Sequence, residues 1–150
     1  MKIAIACDHA GLNLKNSLTD RLEAEGHRVF DLGTNTADSC DYPTYAVGVA
    51  GSIVSGEADR GILICGTGLG MCIAANKVAG IRAVGPCDTV QAEMSRRHND
   101  ANILCLGERT MGRDQVLAIV DVWLKTPFDG GRHAHRLEMI TELEKKEADR

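Results

Sequence analysis

Short apolar runs alternate with stretches of helical period along most of this chain, and the alternation specifies its architecture. Lys2 to Cys7 reads as a strand. Leu12, Leu14, Leu18 and Leu22 then mark one face of a helix that Gly26 can end. Val29 to Leu32 is strand-like again, and Pro43 opens a helix that runs through Val47, Val49, Ala50 and Ile53 to a break at Ser55-Gly56. Ile62 to Ile64 lie in a buried strand over 61–65, a helix covers Met71 to Lys77, and a short strand surrounds Arg82 to Val84. A helix from Thr89 to Arg97 and a strand from Ile103 to Leu106 complete the alternation. Five strands separated by helices predict an α/β fold, a Rossmann-like three-layer αβα sandwich on a five-stranded parallel sheet.

After Gly107 the pattern turns to helix alone. Asp114 to Leu124 carries Val116, Leu117, Ile119, Val120 and Trp123, as expected of a helix packed on the sheet. Thr126-Pro127 and Gly130-Gly131 then break the chain before Arg132 to Lys146, whose stripe of Leu137, Ile140 and Leu143 has no strand of its own to cover. That extra C-terminal helix is available to pack on a partner subunit or to cap its own domain. The 150 residues suit a single domain, 1–150.

Candidate chemistry concentrates at Gly61-Ile-Leu-Ile-Cys65-Gly-Thr-Gly-Leu-Gly-Met71, where a buried strand empties into a glycine-rich turn with a thiol at the junction. Gly66, Gly68 and Gly70 allow close backbone approach, and amides opening the next helix direct partial positive charge toward whatever lies there, a setting that favours a thiolate. The spacing Gly-x-Gly-x-Gly misses the dinucleotide fingerprint, and no Gly-Lys-Ser/Thr follows to make a phosphate loop of the Walker type. Taken locally, Cys65 is either a reactive group or inert packing.

Composition narrows the classes. A formal net charge of −4 with 25% charged residues disfavours general attraction to nucleic acid or anionic membrane. The N-terminal run meets Asp8 and His9 too soon for a signal peptide, no window approaches a membrane span, and a cytoplasmic protein is expected. Six cysteines (7, 40, 65, 72, 87 and 105) form no Cys-x-x-Cys and no cluster at zinc spacing, so neither a metal nor a disulfide framework is expected. Cys7, Cys65 and Cys105 each fall at a predicted strand end, the edge where parallel sheets bind ligands.

Further polar groups fall at element ends. Asp8 follows the first strand and suits a helix cap as well as a ligand role. His98-Asn99-Asp100 ends a helix, where a histidine also serves as a charge-favoured cap, and Arg109 follows the fifth strand. Arg132 and Arg136 stand four apart at a helix start, against the macrodipole, an arrangement that an anionic ligand such as phosphate resolves.

Cys7-Asp-His-Ala-Gly11, Asp41-Tyr-Pro43, Gly61 to Gly68, Ala74-Ala-Asn-Lys77 with Gly80-Ile-Arg-Ala83, Arg97-His-Asn-Asp100 and Gly130-Gly-Arg-His133 with Arg136 together resemble the type B ribose-5-phosphate isomerases, in the family that also holds the galactose-6-phosphate isomerase subunits. The resemblance runs from Lys2 to about Leu143. It implies an aldose–ketose isomerase acting through a cis-enediolate, with Cys65 as the base, Thr67 and the Gly66, Gly68 and Gly70 turn around the oxyanion, and His98 opening the sugar ring. It further implies sugar contacts at Asp8, Tyr42 and Asn99, phosphate contacts at His9, Arg109, Arg132 and Arg136, no cofactor, and a homodimer or homotetramer whose site draws on two subunits. Isomerisation of allose 6-phosphate or a tetrose phosphate, or non-catalytic binding of a sugar phosphate, are the competing expectations; a thiol redox role lacks a nearby resolving cysteine.

Overall fold

The computed structural model describes residues 1–148. Five parallel strands, β1 (Lys2–Cys7), β2 (Arg28–Asp31), β3 (Arg60–Cys65), β4 (Ala83–Val84) and β5 (Ile103–Gly107), form one sheet in the order β2-β1-β3-β5-β4. The chain winds outward from β1 to β2 and then crosses back to β3 on the other side of β1. The strand order therefore reverses between β1 and β3, and in such sheets ligands bind outside the carboxyl ends of the strands at that reversal. Cys7 pairs with Ile64 and Cys65 with Gly107, which lines up the carboxyl ends of β1, β3 and β5.

Helices α1 (Leu12–Ala24), α2 (Tyr42–Val54), α3 (Leu69–Ala75), α4 (Thr89–Asn99), α5 (Arg113–Lys125) and α6 (Arg132–Ala148) complete the described fold. The two-residue alternation of the strands divides the core into two layers. On one face Ile3, Ile5, Ile62, Ile64, Leu104 and Leu106 meet Leu18 and Leu22 of α1, Ala92 of α4, and Val116, Ile119, Val120 and Trp123 of α5. On the other face Ala4, Ala6, Leu63, Cys65, Ile103 and Cys105 meet Ala46, Val49 and Ala50 of α2 with Met71 and Ala75 of α3. Small residues on β1 let α2 approach closely, and this second layer holds Cys65.

One sequence expectation shifts, and two exposures stand out. Cys105 lies inside β5, because the β3–β5 ladder continues to the Cys65–Gly107 pair. Val47 is 53% exposed, since α2 buries the face carrying Ala46, Val49 and Ala50. Of α6 only His133 is buried, while Ile140 and Leu143 are 44% and 62% exposed, leaving the predicted apolar stripe largely open. Among the described residues no helix is long and apolar enough to cross a membrane.

Candidate active site

Cys65 is the last residue of β3 and 6% exposed. Its Sγ accepts a hydrogen bond from the Gly68 amide at 3.1 Å, a donor that a thiolate engages more strongly than a thiol. That contact depends on Gly68 adopting φ 79°, a left-handed conformation that L side chains resist; a β-carbon there would also lie 3.1 Å from the Leu106 backbone. Thr67 is exposed at the tip of the turn, with its Oγ1 accepting from the Leu69 amide at 3.3 Å. The turn is held from below by β5: Glu108 and Arg109 donate their amides to the carbonyls of Cys65 (2.9 Å) and Gly66 (3.0 Å).

The other carboxyl-edge residues gather around this turn. Asp8 is buried and accepts from the Ala10 amide at 2.9 Å, so the helix-cap reading holds for one of its oxygens. Its own amide donates to the Ile64 carbonyl at 3.2 Å, tying the end of β1 to that of β3. His9 Nδ1 accepts from the Cys40 amide at 3.3 Å, which leaves its Nε2 to donate when the ring is neutral. The Arg109 side chain lies over Gly66 beside Ala10, with its Cδ 3.4 Å from the position of a β-carbon at Gly66. Tyr42, 38% exposed, covers Gly70 so closely that a β-carbon there would meet its ring at 2.8 Å. Asp8, His9, Tyr42, Cys65, Gly66, Thr67, Gly68, Gly70 and Arg109 thus share one corner.

His98, Asn99, Arg132 and Arg136 do not join them. α4 runs back against the strands, so its last turn reaches the amino edge of β5, where Asn102 pairs with Arg82 rather than with the site loop. α6 starts beside that turn: the Asp129 amide donates to the Arg97 carbonyl at 3.0 Å, and the His98 and His133 rings stack at 4.1 Å. The length of β5 alone separates the two groups by roughly 13 Å. A cleft of about 780 Å³ between α6 and the 76–84 segment has Asn99 on its wall, and so belongs to this second group. Asp100, at φ 44°, caps α4 while its carboxylate receives Arg96 at 2.8 Å and Arg82 at 3.2 Å, which fixes the turn carrying His98 and Asn99.

One trio among the described residues, His98, Asp129 and His133, brings three possible metal ligands within 4.8 Å of one another. The arrangement does not suit an ion. The imidazoles are within 8° of parallel, so their in-plane lone pairs do not converge, and the Asp129 carboxylate is already held by the Arg97 guanidinium at 3.1 and 3.3 Å. His133 is held below the usual histidine range, first by burial and then by His98, Arg132 and Arg136, with Asp129 opposing.

Several supporting residues carry no local sequence signal. Glu108 accepts from the Leu14 amide at 2.9 Å and from Asn13 at 3.3 Å, anchoring the start of α1 beside Asp8. Lys15 is fully buried, with its ammonium on Asp31 (2.6 Å), the Thr34 carbonyl (2.9 Å) and Asn35 (3.0 Å), which pins the loop that delivers Cys40 to His9. Behind the site, Cys72 is lowered to about 7, chiefly by its hydrogen bond with Cys105 and also by Asn76, against burial. Cys105 is correspondingly raised by Cys72, then by its own burial.

A family model described as Ribose/Galactose Isomerase matches residues 3–140. Ribose-5-phosphate isomerase B of Escherichia coli K12 is 48% identical over 145 residues, covering 97% of each chain. The structure of Clostridium thermocellum ribose-5-phosphate isomerase B superposes with a TM-score of 0.96 at 57% identity, covering 97% of this chain and 99% of that one. Ribose-5-phosphate isomerase B of Mycoplasma genitalium, solved with bound ribulose-5-phosphate, superposes at 0.92 with 43% identity over 96% of each. The fold is that of the ribose-5-phosphate isomerase B structures. The chain belongs to the ribose/galactose isomerase family, and it is an isomerase.

Proposed function

We propose that this protein interconverts ribose 5-phosphate and ribulose 5-phosphate, with Cys65 as the base and with each site assembled from two copies of the chain. The observation that carries the chemistry is the Cys65 Sγ under the Gly68 amide at the point where strand order reverses. In the aldose-to-ketose direction the Cys65 thiolate takes the proton from C2, and the C1 carbonyl becomes an enediolate oxygen. The same proton returns to C1 while the O2 proton moves to O1. Every atom is conserved, and no redox partner is required. Thr67 and the amides of the turn face the developing charge as fixed donors, and they reorganise little as it forms.

The two-copy site is supported by the separation within one chain. Cys65, Asp8, His9, Tyr42 and Arg109 lie at one sheet edge, while His98, Asn99, Arg132 and Arg136 lie at the other. A second copy brings one group against the other. The surfaces for such pairing are apolar: Val47 and Val54 of α2, Leu69 and Ile73 of α3, and Ile140 and Leu143 of α6 are all 44–66% exposed. The Arg132 and Arg136 guanidinium groups of one copy then hold the phosphate whose sugar carbons reach Cys65 of the other. Binding energy at the phosphate positions the reacting carbons.

Subunit complementation tests both halves together. Cys65→Ser and Arg136→Ala variants should each be nearly inactive as homodimers. Unfolding and refolding an equimolar mixture should restore about a quarter of wild-type activity, since half of the dimers are mixed and each mixed dimer holds one intact site of two. A mixture no more active than its parents contradicts the shared site, and a fully active Cys65→Ser variant contradicts the base. Turnover of four-, five- and six-carbon sugar phosphates on the wild type identifies the preferred chain length.

A further inference from the structure

The ring stacked on His98, that of His133, is left without a purpose by the reading above. The two rings lie 4.1 Å apart and within 8° of parallel. His98 is half-buried on the last turn of α4, whereas His133 is 8% exposed on the first turn of α6. Among the described residues no side-chain hydrogen bond orients either ring. An imidazole on the final turn of a helix has two free side-chain torsions, and stacking against a buried neighbour removes that freedom.

The neighbour is itself held in place. The His133 amide donates to the Gly130 carbonyl at 3.1 Å, and Gly130 and Gly131, at φ 65° and 56°, make the turn that aims α6 at α4. Asp129 binds Arg97 through both its amide and its carboxylate, so the chain on either side of the stack is fixed. The charged groups facing His133 are Arg132 and Arg136 on α6, Asp129 before it, and His98 on α4; burial, His98 and the two arginines lower its pKa, and Asp129 opposes them.

We propose that His133 is a positioning residue: its ring sets the plane of the His98 imidazole so that His98 can give a proton to the sugar ring oxygen. The idea rests on the reading of His98 as the ring-opening group. In that step the bond from C1 to the ring oxygen breaks, the ring oxygen takes the proton from His98, and the anomeric hydroxyl gives its proton to water as C1 becomes the aldehyde.

Ring opening can be followed apart from isomerisation. In the Cys65→Ser background, magnetisation exchange between the anomeric signals of [1-13C]ribose 5-phosphate reports enzyme-dependent opening while carbon chemistry is blocked. Exchange should be present in Cys65→Ser and lost when His98→Asn is added. Adding His133→Ala should slow it by about tenfold or more, the scale of a misaimed catalytic group. Adding His133→Phe, which keeps a planar ring and loses both nitrogens, should restore it to within about threefold of the parent. Equal exchange with and without His133→Ala overturns the proposal, as does a phenylalanine variant as slow as the alanine one in a protein of unchanged melting temperature. No exchange even with His98 and His133 intact overturns the His98 assignment itself, and the proposal with it. Loss in the His98→Asn variant with full retention in His133→Ala leaves that assignment standing and removes His133 alone.

Discussion

Gly107→Ala probes how tightly the thiol corner is built. A β-carbon on Gly107 would lie 2.7 Å from the Thr67 carbonyl carbon and 2.8 Å from its oxygen, and would strike the Thr110 hydroxyl as well. Thr110 can rotate away. The Thr67 backbone cannot, because the turn is tethered to β5 through the Glu108 and Arg109 amides. Reaching ordinary van der Waals separation requires the turn to shift by roughly 0.8 Å. Overpacking of this kind costs about 1–3 kcal/mol, or roughly 2–12 °C in melting temperature for a domain of this size. The same displacement moves Thr67 and the Gly68 amide away from Cys65, and kcat should fall by about tenfold to a hundredfold. Calorimetry and a coupled isomerase assay read the two effects. Gly112→Ala is the control, since nothing lies within 4 Å of its β-carbon and its φ is −70°. A Gly107→Ala enzyme with unchanged melting temperature and turnover would refute the packing argument.

Replacing Arg132 or Arg136 by alanine should weaken ribose 5-phosphate by about 1.5–3 kcal/mol and leave ribose unaffected; titration calorimetry with both sugars checks this, and an equal loss for the two reduces the arginines to surface charges. Lys15→Met should cost about 2–3 kcal/mol in urea unfolding, because it strands the Thr34 carbonyl and Asp31 together. A loss below about 0.5 kcal/mol would mean that water replaces the ammonium. The Cys7 thiol is pushed up to about 12 by burial from 9.0, so the folded chain keeps a proton that the unfolded chain releases. Its contribution is complete below pH 9 and disappears as pH rises toward 12; Cys7→Ala should therefore flatten the decline of melting temperature across that window, and parallel slopes would contradict the assignment.

The strands were legible because β1 and β3 are continuous apolar runs bounded by turn residues, and the first five helices because their faces must match the sheet. The Cys65 turn could be recognised because its glycines serve one local purpose. The sequence pattern starts α3 at Met71, two residues after its start at Leu69, since Gly68 opens the helix from a left-handed conformation that glycine alone does not announce. Val47 lies on the open face of α2, because apolar character alone does not say which face of a helix is buried. The distance between His98 and Cys65 follows from topology: a helix leading into a parallel strand must finish at that strand's amino edge. Glu108 and Lys15 were beyond reach, because their partnerships join positions 94, 16, 19 and 20 residues apart without any periodic pattern to mark them.

The ammonium of Lys15 stands in for secondary structure across residues 32–40. That stretch has no helix or strand to hold its shape; the cation meets Thr34 and Asn35 and so fixes its near end together with the Leu32 and Thr34 amides, which donate to the Ile5 and Cys7 carbonyls. Thr36 is tied back to the Thr34 hydroxyl, and residues 37–39 span from there to Cys40 with no hydrogen bond to the sheet or to α1 among the described residues. A chain wired in this way can vary the tip of the loop while Lys15 holds one end and the Cys40 amide on His9 Nδ1 holds the other. Insertions between Thr36 and Ser39 are where an engineer would begin when refitting this scaffold to bulkier or smaller sugars.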